Sequence, residues 1–165
     1  MLCPVCHHDN LEGLDSCENC GADLRTADIP QAGSRFENVL MSGHLSELEP
    51  RVPVAVRPSD DAASAIKLMQ TEEIGCVLVN EGDKLVGIFT ERDALLKLGG
   101  RPLQGVSVKE VMTGDPVVLR EEDTLAVALH KMAIGGFRHI PIVEGSRATG
   151  IISARDIFGH IVSVL

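Results

Sequence analysis

Residues 87–93 read GIFTERD and residues 150–156 read GIISARD, so one pattern occurs twice at an interval of 63 positions. Working outward from these stretches, residues 45–94 align with residues 108–157 without a gap, and 14 of the 50 pairs are identical. Ten of the other 36 pairs exchange one aliphatic residue for another. Self-similarity of this length predicts two copies of one structural unit.

Both copies predict the same series of elements. Each begins with a short strand (53–56 and 116–119) and an amphipathic helix (59–70 and 121–132). A buried strand, a turn and a further strand follow, and a second helix starts at residue 91 or 154. The order β-α-β-β-α, repeated, belongs to the α/β class.

These features resemble a tandem pair of CBS motifs, called a Bateman module. The resemblance covers roughly residues 44–165 and rests on the repeat, on GIFTERD and GIISARD, and on RHIPIVE at 138–144. It implies repeats at 44–103 and 104–165, packed sheet against sheet about a pseudo-twofold axis. It also implies that clefts between the repeats bind adenosine-containing ligands such as AMP, ADP, ATP or S-adenosylmethionine, and that the modules pair into homodimers.

The repeated stretch has two interpretations. Thr90 with Asp93, and Ser153 with Asp156, fit a capping box, in which both side chains satisfy backbone N–H groups at a helix start. The same helix start can bind an anion. The resemblance implies that the aspartates hold a ribose and that Thr90 and Ser153 approach the phosphate.

The two repeats differ before their buried strands. Arg138 and His139 precede the strand of the second repeat, where the resemblance implies phosphate contacts, whereas Gly75 and Cys76 at the matching positions supply no charge. A phosphorylated ligand should therefore depend on Arg138 and His139. A solvent-facing histidine at a strand end remains the alternative for His139, and Cys76 is expected to be a core thiol.

The amino-terminal segment carries two Cys-x-x-Cys pairs, formed by Cys3, Cys6, Cys17 and Cys20. A single pair followed by histidine would also fit haem attachment or a redox dithiol. Haem attachment follows export, however, and because no export-signal pattern is recognisable before the pairs, we do not expect haem. Two pairs together favour a four-cysteine structural Zn²⁺ site, with redox chemistry as the alternative.

This segment resembles the small zinc ribbons that begin CPxCG and end CxxCGxxL, and residues 1–25 are assigned to such a ribbon. His7 stands where glycine is usual, which leaves His7 or His8 as a substitute ligand. Residues 1–28 carry six acidic side chains and a single arginine, Arg25. Nucleic-acid binding needs cations and aromatic rings, so a structural or protein-contacting ribbon is expected.

A linker with a short helix is predicted at residues 26–43. Residues 26–34, TADIPQAGS, are small, polar and interrupted by Pro30 and Gly33. Ser34 then fits the N-cap of a helix over residues 35–41, RFENVLM.

The formal net charge of −9 argues against a nucleic-acid or anionic membrane partner, and no apolar run is long enough to span a bilayer. A cytoplasmic location is therefore expected. No catalytic constellation is recognisable. The leading hypothesis is a non-enzymatic regulatory protein that senses an adenosine-containing ligand and contacts a protein partner through its ribbon. The alternatives are a ligand-free dimerisation scaffold, a nucleic-acid-binding regulator and a redox sensor.

Overall fold

The computed structural model describes residues 2–3, 5–11, 14–24, 34–100 and 102–165. The chain divides into two units, residues 1–38 and 39–165. Most of the predicted connector, residues 26–33, lies outside the described residues. The helix predicted after it is present as α1 (Arg35–Ser42), and Ser34 Oγ accepts a hydrogen bond from Glu37 N–H at 3.1 Å, as expected for its N-cap.

The elements of the second unit follow the predicted interval. A short 3₁₀ helix (Leu45–Leu48) leads into β1 (Ala55–Val56), α2 (Ala62–Thr71), β2 (Cys76–Glu81), β3 (Lys84–Thr90) and α3 (Glu91–Leu98). The second repeat contains α4 (Val108–Val111), β4 (Thr113–Gly114), α5 (Leu125–Gly135), β5 (His139–Glu144), β6 (Arg147–Ser153) and α6 (Ala154–Val164). The fold is therefore the predicted mixed α/β arrangement.

The two hairpins have matching registers. In β2–β3, Cys76 lies opposite Thr90, and in β5–β6, His139 lies opposite Ser153. Each hairpin has an irregularity at the same point of its repeat, after Val79 and after Ile142 respectively. Identical registers place the end of each hairpin beside the start of the following helix, α3 or α6.

The length of the strand predicted at residues 116–119 is wrong. Only Leu119 pairs, in parallel with Ile142, as Val56 pairs with Val79 in the first repeat. Pro116 lacks the N–H that a longer ladder needs. The chain also turns there, at Asp115 with φ of +46°, after the preceding residues have paired with the other repeat as β4.

Each repeat receives a short helix from the start of the other repeat. Leu45 of the 3₁₀ helix is fully buried in the core of the second repeat, whereas Val108 of α4 is fully buried in the core of the first. Leu45 N–H donates to Asp123 O at 2.9 Å, and Val108 N–H donates to Asp60 O at 2.8 Å. Because equivalent residues make equivalent bonds, the exchange is reciprocal.

The glycine that begins each motif, Gly87 or Gly150, lies where a segment of the other repeat crosses the hairpin. A Cβ at Gly87 would lie 2.5 Å from Met112 Sδ, and a Cβ at Gly150 would lie 2.6 Å from Pro50 Cβ. Real Cβ contacts are essentially never this short. Glycine at both positions therefore allows each crossing segment to pack against the hairpin of the other repeat.

The hairpins also meet through their side chains. Cys76, Leu78 and Ile88 form a buried cluster with Ala148 and Ile151 of the second repeat. The alternate residues of β2, Val77 and Val79, face the helices instead. Both faces of this strand are thus covered, which explains its continuous apolar sequence.

No helix in the described part of the chain has the length and apolar character to cross a bilayer. The longest, α5 and α6, have 11 residues each.

Leu45→Ala is expected to lower the free energy of unfolding by about 2–5 kcal/mol, because it removes a buried side chain from the core that receives it. Met41→Ala, at a side chain that is 63% exposed, is the control and should change stability by less than about 0.5 kcal/mol. Urea unfolding followed by far-UV circular dichroism measures both. Equal losses in the two variants would contradict the exchanged packing.

Candidate functional site

A cavity lined by residues of both repeats lies between them. Its volume is about 510 Å³, which is within the range of small-molecule sites. Its lining contains four of the six predicted ligand residues, namely Arg138, His139, Ser153 and Asp156. Thr90 and Asp93 do not line it. The structure thus brings together the predicted residues of the second repeat and separates those of the first.

The strand register and the start of α6 position the polar end of this cavity. Ser153 lies opposite His139 and is the N-cap of α6. Asp156 Oδ2 accepts hydrogen bonds from Ser153 N–H and Ser153 Oγ, both at 2.7 Å, while Ser153 Oγ accepts from Asp156 N–H at 3.3 Å. The predicted capping box is confirmed here, and its carboxylate also faces the cavity.

The remaining oxygen of Asp156 is held by a residue that the sequence did not identify. Asp156 Oδ1 accepts a hydrogen bond from Arg51 Nη2 at 3.1 Å. The Arg51 side chain is 66% exposed, whereas that of Asp156 is 21% exposed. The arginine therefore lies over the carboxylate from the solvent side. Its counterpart 63 positions later is Gly114, so comparison of the repeats gave no signal for it.

His139 lies over Gly75 of the first repeat. A Cβ at Gly75 would lie 3.1 Å from His139 Cε1 and 3.6 Å from Glu91 Oε2. The missing side chain therefore leaves room for the imidazole. Burial lowers the pKa of His139, against the opposing charges of Asp156 and Glu91, so the ring is neutral near pH 7.

Charged side chains of both repeats line the cavity. The first repeat contributes Glu73, Glu91 and Arg51, whereas the second contributes Arg138, Arg155 and Asp156. A ligand spanning the cavity therefore meets acidic and basic side chains from each repeat. Neither glutamate was identified from the sequence, since exposed acidic residues are common on any surface.

Cys76 also lines the cavity but is 6% exposed. Burial, together with the negative charge of Glu91, raises the pKa of its thiol to about 12. The thiolate is therefore scarce at neutral pH, in agreement with the expected core thiol.

The motif of the first repeat forms the same capping box but has different partners. Asp93 Oδ2 accepts hydrogen bonds from Thr90 N–H at 3.1 Å and from Thr90 Oγ1 at 2.7 Å. Asp93 Oδ1 lies 2.7 Å from Lys97 Nζ and accepts a bond from Thr113 Oγ1 at 3.1 Å. Partial burial opposes ionisation, but the bonds from Lys97 and Thr90 and the lysine charge lower the pKa of Asp93. This carboxylate is an ion-pair partner within the protein.

The four cysteines of the first unit form a separate cluster. All four Sγ atoms lie within 4.8 Å of one another, and the Cys3–Cys20 and Cys6–Cys17 pairs are each 3.6 Å apart. A disulfide would need about 2.05 Å. Four sulfurs bound tetrahedrally to Zn²⁺ at about 2.3 Å would lie roughly 3.8 Å apart. The cluster could therefore hold a metal ion, and its dimensions fit zinc.

Two equivalent turns present these thiols. Cys3 N–H donates to His8 O at 2.9 Å, and 14 positions later Cys17 N–H donates to Ala22 O at 2.8 Å. Asn10 joins the turns, because its Nδ2 donates to His8 O at 2.9 Å and its Oδ1 accepts from Glu18 N–H at 3.0 Å. The buried residues described in this unit are Cys3, Asn10, Cys17 and Leu24. Domains with so small a core are usually stabilised by a disulfide, a metal ion or an oligomer partner.

His7 has a conformational role in the first turn. Its φ is +57°, and the equivalent Gly21 has φ of +73°. Neither His7 nor His8 belongs to the group of described side chains that could together hold a metal ion, which consists of the four cysteines. The departure from the usual glycine places a side chain at a left-handed position.

A family model for the CBS domain matches residues 45–100 and 108–163. The two matches cover more than half of the chain, and the chain therefore belongs to the CBS-domain family. Among similar proteins, the inosine-5′-monophosphate dehydrogenase of Korarchaeum cryptofilum is 35% identical over 106 residues, which are 64% of this chain. This chain spans 21% of that relative's length, so the relative shows that CBS domains also occur within enzymes.

Solved structures show the same fold. The CBS domain of NE2398 has a TM-score of 0.68 and 28% identity, and the match covers 72% of this chain and 97% of that chain. The CBS domain pair of protein MJ0100, solved with 5′-methylthioadenosine and S-adenosyl-L-methionine, has a TM-score of 0.67 and 21% identity. That match covers 74% of this chain and 98% of MJ0100's pair.

His7→Gly is expected to tighten metal binding by roughly fivefold, because relief of a left-handed conformation is worth about 1 kcal/mol. Gly21→Ala is the matched control at the equivalent turn and should weaken binding instead. Competition for Zn²⁺ with a coloured chelator measures both variants. Weaker binding by His7→Gly would indicate that the His7 imidazole is a ligand.

His139 should make stability depend on pH. A histidine whose pKa is lowered by folding binds fewer protons in the folded state than in the unfolded state. Its stabilisation is therefore present above the unfolded pKa of about 6.5 and is lost as the pH falls. Between about pH 7.5 and about pH 5.5, the unfolding temperature should fall more steeply for the wild type than for His139→Gln. Parallel profiles in calorimetry would contradict this assignment.

Proposed function

We propose that this chain is a non-enzymatic regulatory protein that binds an adenosine-containing ligand between its two CBS repeats. The observation that carries the proposal is that one cavity contains Arg138, His139, Ser153 and Asp156 together. AMP, ADP, ATP and S-adenosylmethionine are the candidate ligands. The adenosyl ligands bound to the distantly similar MJ0100 pair support this ligand class.

The proposed contacts follow the chemistry of the cavity. Asp156 would accept hydrogen bonds from the ribose hydroxyls, in place of the exposed Arg51 side chain. Arg138 and His139 would approach a phosphate, with Ser153 at the helix start beside them. The apolar side chains of Val54, Ile74, Ile151 and Ile152 provide a surface for adenine.

Binding would regulate by fixing the two repeats relative to each other. Residues 73–76 of the first repeat and residues 151–156 of the second repeat line the same cavity. A ligand that contacts both segments favours the arrangement in which both are within reach. The response would pass to a partner through the changed position of the repeats.

We also propose a structural Zn²⁺ on Cys3, Cys6, Cys17 and Cys20, with the ribbon of residues 1–25 contacting a protein partner. Leu2, Val5 and Leu11 support a protein contact, since they are 65%, 69% and 74% exposed, respectively. The zinc content of the purified protein, by atomic absorption, tests the metal assignment. About one Zn²⁺ per chain is expected, and absence of zinc together with a titratable dithiol would favour the redox alternative.

A homodimer through the CBS module completes the proposal. Leu95 on α3 and Phe158 on α6 are equivalent positions and are 77% and 66% exposed. Large apolar side chains at equivalent exposed positions are typical of a surface that is covered in an assembly. Light scattering of the purified protein tests this, and a monomer at all accessible concentrations would exclude it.

A ligand-free dimerisation scaffold is the second candidate. The specific observation in its favour is that both Thr90–Asp93 and Ser153–Asp156 form complete capping boxes. In that case the aspartates would only stabilise α3 and α6. Ligand titration distinguishes the two functions.

Ligand binding is expected to raise the unfolding temperature of the zinc-loaded protein. At about 100 times its dissociation constant, a ligand adds roughly 2.7 kcal/mol, which corresponds to a rise of about 5–10 °C for a domain of this size. Calorimetry is suitable because the chain has no Trp or Tyr. The rise should disappear in Asp156→Asn and remain in the matched variant Asp93→Asn. No rise with any of the four candidate ligands would favour the scaffold.

A further inference from the structure

The aspartates of the two repeated motifs differ in the number of hydrogen bonds that they already accept. A carboxylate offers about four lone-pair positions. Asp93 receives four contacts from donor groups, two from Thr90 on Oδ2 and one each from Lys97 and Thr113 on Oδ1. Asp156 receives three, two from Ser153 and one from Arg51.

The donors on Asp93 Oδ1 are fixed in place. Lys97 Nζ donates to Val111 O at 2.8 Å and to Met112 O at 3.1 Å, in addition to its 2.7 Å contact with Asp93. Its three N–H groups are therefore all used. The Asp93 side chain is 12% exposed and that of Lys97 is 39% exposed, so the carboxylate of this ion pair is shielded from water although the lysine is not. Displacing the lysine would leave a poorly solvated charge without its partner.

The donor on Asp156 Oδ1 is held far more loosely. The Arg51 side chain is 66% exposed, so its guanidinium can leave Asp156 and be solvated by water at little cost. The residue equivalent to Lys97 in the second repeat is His160, whose Nε2 lies 3.7 Å from Glu47 Oε2 rather than against Asp156. At the equivalent position of the second repeat, therefore, no lysine donates a hydrogen bond to the Asp156 carboxylate.

We propose that Lys97, together with Thr113, occupies the ribose-binding position of the first repeat, so that each chain binds one ligand. This proposal rests on the proposed function, because it concerns the same kind of site. Thr113 lies in the segment exchanged from the second repeat, and Lys97 bonds to the end of α4. The closing groups are thus positioned by the reciprocal packing of the two repeats.

The consequence is specific to Lys97. Removing its ammonium frees one acceptor position on Asp93 Oδ1, which still accepts from Thr113, and Asp93 is then left with three contacts, as Asp156 is naturally. Lys97→Ala should therefore create a second ligand site per chain. Lys97→Met, which retains most of the side-chain volume without the charge, is a second variant in case the alanine substitution prevents folding.

Isothermal titration calorimetry of the zinc-loaded full chain tests the proposal, with AMP, ADP, ATP and S-adenosylmethionine as the probes. The wild type should bind about one equivalent, and this binding should be lost in Asp156→Asn. Lys97→Ala or Lys97→Met should bind about two, and Asp93→Asn added to either variant should remove the second equivalent. His160→Ala is the matched control at the equivalent position and should still bind about one.

Each outcome decides between the two proposals. About one equivalent in the wild type and in both folded Lys97 variants overturns the inference and leaves the proposed function intact. Two equivalents in the wild type, one of them lost in Asp93→Asn, also overturn the inference. Binding by the Lys97 variants alone supports closure by Lys97 but refutes the Asp156 site. No binding by wild type or variants overturns both.

Discussion

The carboxylate at the third position of α3 and α6 is the constraint on which the motif depends. Two of its hydrogen bonds, from the N-cap residue, cap the start of the helix directly after the preceding hairpin. Its second oxygen is directed away from the cap and can bind something else. Asp93 and Asp156 therefore have the same structural role, and their different surroundings decide what else each can do. A structural requirement and a binding capacity are combined in one side chain, and neither excludes the other.

Local patterns predicted much of the fold because they arise from contacts close in sequence. The interval between the repeats predicted the matching hairpins. The amphipathic helices predicted at 59–70 and 121–132 correspond to α2 and α5, whose buried faces contain Met69 and Met132. Ser34 was identified as an N-cap because the capping bond spans only three residues. The paired cysteines likewise form a cluster through two short turns. In each case a few neighbouring residues determine the geometry.

The features missed by sequence analysis depend on residues far apart in the chain. The exchange of the 3₁₀ helix and α4 cannot be inferred from one repeat. Each of these helices is part of one repeat in the sequence but packs in the core of the other repeat. Arg51 reaches Asp156 across 105 positions, and Thr113 reaches Asp93 across 20. Only the Asp93–Lys97 pair had a local signal, the helical spacing of four residues. The effect of this pair on ligand binding could not be inferred from the sequence, because it depends on the cavity that Asp156 faces.

The reciprocal exchange has a consequence for the history of the chain. A single repeat would lack the helix that its own core requires, and its own helix would have no core to enter. A half-length ancestor could complete its hydrophobic core only by pairing with a second copy of itself. Gene duplication and fusion would then turn that obligate symmetric pair into one polypeptide. After fusion the two halves could diverge independently, as the lysine of one half and the histidine of the other illustrate.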